Sequence, residues 1–68
     1  MLFPERLKQI RQSQKLTQKQ VAAALNITER QYQRYEGGEQ TTTLENLIAL
    51  ADYFGVSLDY LVGRSDKR

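Results

Sequence analysis

A chain of 68 residues makes one small domain, whose core alone contributes only a few kcal/mol of net stability. It contains no cysteine and no histidine, which excludes a disulfide framework, a thiolate metal site and the commonest general base. The net charge of +2 excludes little, but its distribution is uneven: residues 6–34 carry seven basic side chains against one acid, and residues 35–63 carry five acids and no base.

The first predicted helix runs from about Pro4 to Gln14. Proline suits a first turn, where its missing N–H costs nothing. Phe3, Leu7 and Ile10 fall at i, i+4, i+7 and make one apolar stripe. The second helix, about Gln18 to Leu25, begins at a threonine cap, Thr17, with Gln20 at the capping-box spacing. The third, about Glu29 to Glu36, repeats this with Thr28 and Gln31. Leu16 with Val21 and Ile27 with Tyr32 have the spacing of hydrophobic staples. Asn26, in the short link between the two helices, tolerates the left-handed conformation that often ends a helix. Two short capped helices with a tight link and a small residue at their crossing, Ala22, make a helix-turn-helix.

Gly37-Gly38 ends the third helix and a loop, Glu39 to Thr42, follows. The fourth helix is capped by Thr43 and stops at Gly55; Leu44, Leu47, Ile48, Ala51 and Phe54 form its apolar stripe. Ser57 caps a fifth helix of about one and a half turns, ending near Val62-Gly63. Residues 1–63 are thus the folded unit, and 64–68 read as a disordered basic tail. The expected core is Leu7, Ile10, Val21, Ala22, Leu25, Ile27, Tyr32, Leu44, Leu47, Ile48, Ala51, Phe54 and Leu61. The expected fold class is all-α, a compact bundle of five helices with no strand.

Thr17-Gln18, Val21-Ala22, Leu25-Asn26-Ile27-Thr28, Tyr32 and Tyr35-Glu36-Gly37-Gly38 carry a resemblance to a known family. It extends through Leu44-Glu45-Asn46-Leu47, Ala51 and Phe54-Gly55-Val56-Ser57-Leu58-Asp59-Tyr60-Leu61. On these residues, from about Pro4 to Gly63, the chain resembles the Cro and phage-repressor type of helix-turn-helix, the XRE family. The resemblance implies a lambda-repressor-like fold whose third helix lies in the DNA major groove. Two positions depart from the family pattern: Asn26 stands where glycine is usual, and the loop after Gly38 lacks the frequent basic residues and proline.

Arg30 and Arg34 lie four apart and share a face. Arginine is the usual reader of guanine O6 and N7, so the pair suits base readout; as plain surface they would only aid solubility. The resemblance implies that Glu29, Arg30 and Arg34 contact bases, and Gln33 belongs to the same polar face. Glu29 suits cytosine N4 and equally suits the positive end of the helix dipole. By family position Gln18 binds phosphate. Lys15 and Lys19 flank it, and Thr41, Thr42 and Thr43 offer hydroxyls to the opposite strand. Glu39 in that loop would repel phosphate. The resemblance also pairs Arg11 with Glu36 across the first and third helices as scaffold.

The expected function is a sequence-specific regulator of transcription, a repressor or controller protein. It would bind double-stranded DNA at a pseudo-palindromic operator as a homodimer through Leu58 and Val62. The rival is an antitoxin or other protein-interaction module on the same scaffold. An enzyme is not expected, because catalysis would rest on carboxylates and no two acids have the spacing of a paired site. No cofactor, metal or membrane partner is expected, and a cytoplasmic location follows from the lack of a signal peptide or apolar span.

Overall fold

The computed structural model describes residues 2–68. Among the described residues the chain forms five helices and no strand: α1 (Phe3–Ser13), α2 (Gln18–Ala24), α3 (Glu29–Gly37), α4 (Leu44–Phe54) and α5 (Leu58–Val62). Each boundary follows local chemistry. Thr17, Thr28, Thr43 and Ser57 are N-caps whose hydroxyl oxygens accept from the backbone N–H three residues on. The capping box of α2 is complete, since Gln20 Oε1 also accepts from the Thr17 N–H at 2.8 Å. That of α3 is only half made. Gln31 donates its backbone N–H to Thr28, but its side chain donates to the Tyr35 hydroxyl at 2.9 Å.

The core gathers Phe3, Leu7 and Ile10 of α1, Val21 and Ala22 of α2, and Tyr32 and Tyr35 of α3. Leu50, Ala51 and Phe54 of α4 and Leu61 of α5 complete it. Leu16, Ile27 and Val56, which precede the caps of α2, α3 and α5, pack partly buried against this cluster. Each therefore fixes the direction in which its helix leaves the preceding loop.

Helix α4 is rotated from the expected stripe. Leu44 is 68 % and Ile48 42 % exposed, whereas Leu50 is fully buried. The inward face is Leu47, Leu50, Ala51 and Phe54, at i, i+3, i+4, i+7. The apolar arc of the segment is wide, holding Leu44, Leu47, Ile48, Leu50, Ala51 and Phe54, so spacing allows either stripe; the core it packs against chooses between them. Tyr35 is also core, and its hydroxyl accepts from Asn46 at 3.1 Å, tying α3 to the first turn of α4.

After Gly63 the chain turns back. Arg6 of α1 donates to the carbonyls of Tyr60 at 3.1 Å and Ser65 at 2.9 Å, reaches Asp66, and lies over the Tyr60 ring. The Ser57 N–H donates to the Arg68 carbonyl at 2.9 Å. Residues 64–68 thus lie against α1 and α5.

The rotation of α4 has a direct consequence for stability. Leu50→Ala should cost about 2–5 kcal/mol, because it opens a cavity in a closed core. Leu44→Ala should change stability by no more than about 0.5 kcal/mol, as at other exposed sites. Urea denaturation of the two variants measures the difference.

Candidate nucleic-acid interface

The exposed side of α3 is built from its buried side. Asn26, at φ 58°, turns the chain after α2, and the Ile27 N–H donates to the Ala22 carbonyl at 3.0 Å. Thr28 then starts α3. Tyr32 and Tyr35 are buried within 1 % and fix the rotation of the helix about its axis. The side chains left outside are Glu29, Arg30, Gln33 and Arg34, all exposed. Two shallow grooves mark this surface, and both are lined by Arg30 and Arg34. Gln33 and Glu39 complete one; Thr28, Gln31 and Gln40 complete the other. Glu39 and Gln40 enter because Gly38 adopts φ 75°, a left-handed cap that folds the chain back along α3.

The far end of α3 is held by a buried ion pair. Arg11 of α1 donates Nε and Nη2 to the two carboxylate oxygens of Glu36, at 2.5 and 3.1 Å. The side chains are 12 % and 5 % exposed. Nη1 of the same guanidinium donates to the Leu16 carbonyl at 2.9 Å, and Gln18 Nε2 donates to Glu36 at 3.2 Å. One carboxylate therefore joins α1, the α1–α2 loop, α2 and α3. Burial pushes the Glu36 carboxyl up, but hydrogen bonds from Arg11 and Gln18 outweigh it and hold the group below its ordinary range. Hydrogen bonding to Glu36 keeps Arg11 more firmly protonated than usual against the opposing effect of burial. The Tyr32 hydroxyl approaches this pair but completes no hydrogen bond. Burial, with the Glu36 carboxylate beside it, raises that phenol above its usual value.

The remaining candidates lie outside the α3 surface, at the start of α2, before α4 and on α5. Lys15, at φ 57°, and Lys19 are exposed on either side of the start of α2. Gln18 lies between them, half-buried, its amide turned to Glu36. An amide nitrogen carries two protons, so Gln18 keeps a second donor for another partner. Thr41 is exposed; Thr42 is half-buried and donates to the Thr43 carbonyl at 3.2 Å. Thr43 Oγ1 accepts from Asn46 as the α4 cap. Thr41 and Thr42 also line an apolar hollow with Phe3, Leu47 and Val62. Leu58 is 38 % exposed. Sequence spacing did not bring Glu39 and Gln40 to the α3 surface; the glycine pair before them was the available signal. No helix among the described residues is long and apolar enough to cross a membrane. Among them, no three acidic side chains come together in a way that could hold a metal ion.

Comparison with known proteins agrees with this geometry. A family model described as helix-turn-helix matches residues 7–61. The cryptic phage CTXphi transcriptional repressor RstR of Vibrio cholerae is 41 % identical over 64 residues, covering 94 % of this chain and 57 % of the relative. The HTH-type transcriptional regulator ImmR of Bacillus subtilis is 35 % identical, covering 97 % and 52 %. The crystal structure of a transcriptional regulator from Listeria innocua superposes with a TM-score of 0.85 at 39 % identity, covering 90 % of this chain and 57 % of that one. The chain spans a little over half the length of these proteins.

The ion pair generates a double test. Arg11→Met or Glu36→Leu alone should each cost about 3 kcal/mol, since each leaves one buried charge unpaired, and the double variant should cost less than their sum. Because the folded Glu36 carboxyl lies below the ordinary 4.5, the unfolded chain takes up this proton first. The stability from the pair is therefore present above that value and lost as the pH falls through the folded one. Urea midpoints between neutral pH and pH 3 should fall less steeply for the double variant.

Proposed function

The chain belongs to the XRE-type helix-turn-helix family, and on that premise we propose that it regulates transcription by binding a specific double-stranded DNA sequence as a homodimer. The observation that carries this reading is α3: an inner face locked by two buried tyrosines and an outer face made only of Glu29, Arg30, Gln33 and Arg34. A helix about 10–12 Å across matches the major groove of B-form DNA. Arg30 and Arg34 read guanine edges there, with Glu29 and Gln33 beside them. Gln18, with Lys15 or Lys19, anchors phosphates on one strand. Thr41, Thr42 and Thr43 face the other. All of these contacts except the three threonines sit in the basic half of the sequence, so the long-range field draws this side towards a polyanion.

One α3 spans only a few base pairs, and two are needed for useful specificity. Leu58 and Val62, one turn apart on α5, supply the apolar contact between copies. A two-fold dimer calls for a pseudo-palindromic operator with half-sites roughly 34 Å apart.

Titrating operator and scrambled duplexes at several salt concentrations tests the assignment. Arg30→Ala or Arg34→Ala should cost about 1–3 kcal/mol on the operator and relax preference at one position per half-site. Lys19→Ala should weaken both duplexes alike and reduce the salt slope by about one. Equal losses on both duplexes for the arginine variants would make them phosphate contacts. No binding by the unmodified protein at low salt would transfer the scaffold to the protein-interaction reading. Leu58→Glu should leave the helical circular dichroism spectrum intact while abolishing cooperative occupation of the two half-sites; retained cooperativity would move the interface elsewhere.

A further inference from the structure

The reading surface contains one side chain of the wrong sign for a phosphate contact. Glu39 lines the groove that also holds Arg30, Gln33 and Arg34. Its position is fixed by backbone geometry. Gly38 takes the left-handed conformation, and the Glu39 N–H donates to the Arg34 carbonyl at 3.0 Å, closing the last turn of α3. The side chain lies back along the helix, its Cγ 3.9 Å from where a Cβ on Gly37 would stand. The carboxylate is thus carried at the C-terminal end of α3, on the groove that the two arginines line.

An ionised carboxylate only accepts hydrogen bonds, and the two guanidinium groups lining this groove only donate. The two kinds of group together match one base pair. In the major groove, guanine presents the acceptors O6 and N7, and its cytosine partner presents the N4 amino donor. An arginine beside a carboxylate is therefore complementary to both halves of a G·C pair. The arginines also offset the repulsion a lone carboxylate would meet between two phosphate chains.

We propose that Glu39 is a specificity-determining residue that accepts a hydrogen bond from cytosine N4 in a G·C pair whose guanine is held by Arg30 or Arg34. This rests on the assignment of α3 to the major groove. It turns the acidic loop position from a weakness in affinity into a filter: a pair offering only acceptors near Glu39 meets a buried, repelled carboxylate.

Selection of bound sequences from random duplex DNA by the full chain, Glu39→Gln and Glu39→Ala tests the proposal, followed by titration on duplexes changed at single base pairs. The unmodified protein should enrich one G·C pair per half-site and bind it roughly tenfold or more tightly than its substitutes. Glu39→Ala should weaken that preference several-fold, to what the arginine alone supplies, keep the others and leave the salt slope unchanged, while Glu39→Gln, whose amide can accept or donate, should tolerate other pairs there. An unchanged selected sequence with uniformly tighter binding by Glu39→Ala would overturn the proposal, because the carboxylate then only repels. An unchanged sequence at unchanged affinity would overturn it too. Selection of no sequence by the unmodified protein would overturn the major-groove assignment along with it, whereas selection of a defined operator indifferent to Glu39 removes the proposal alone.

Discussion

The Arg11–Glu36 pair is the constraint on which the rest of the arrangement depends. Glu36 stands at the C-terminal end of α3, where the helix dipole disfavours a negative charge. A bidentate guanidinium compensates it there, and the same guanidinium holds the Leu16 carbonyl just before the cap of α2. Gln18 closes the set from α2. Two helices whose relative angle matters are therefore bolted to a third. In a domain this small, apolar packing alone leaves room for rocking, and a bidentate pair narrows it because both partners must keep their planes aligned.

A second junction acts on the other side of α3. The Tyr35 hydroxyl accepts from Gln31 one turn back and from Asn46 in α4. Here the capping box of α3 gives up its second bond, and the side chain released holds the Tyr35 hydroxyl one turn on, which Asn46 reaches from α4. The loop from Glu39 to Thr42 is consequently anchored at both ends, by the Gly38 cap and by α4. Together with the fully buried Tyr32, these contacts make the outward face of α3 a rigid platform. Preorganisation of this kind is what readout of base edges requires, because a reader that must be ordered on binding loses affinity in the process.

Charge is organised by the same architecture. Basic side chains cluster on α1, α2 and α3, and acids on α4 and α5, so the field points from one side of the molecule. The exceptions are informative. Glu36 is compensated by its ion pair with Arg11, and Glu39, though exposed, lines a groove with the α3 arginines. Arg6, by contrast, is drawn out of the basic face, lying over Tyr60 and bonding the carbonyls beyond α5. Sequence position alone would count it as a partner for a polyanion.

The local grammar of the chain was determined by sequence. Threonine and serine caps set the starts of α2 to α5, glycines the ends of α3 to α5, and Pro4 the first turn of α1, all to within a residue or two, because capping acts over three or four positions. The polar outer face of α3 was legible for the same reason: Tyr32 and Tyr35 leave few alternatives in a helix of two and a half turns. Tertiary structure decided the rest. α4 has a wide apolar arc, so periodicity could not place Leu50 inside and Leu44 and Ile48 outside; the surfaces it meets did. Gln18 lies at the exposed-looking start of α2, and Glu36, eighteen residues on, drew its amide inward; the Gln31 amide left its capping box for Tyr35 one turn on, a residue held in the core. Glu39 reached the α3 surface through the sign of one dihedral angle at Gly38, a choice that residue type permits but only the packed turn fixes.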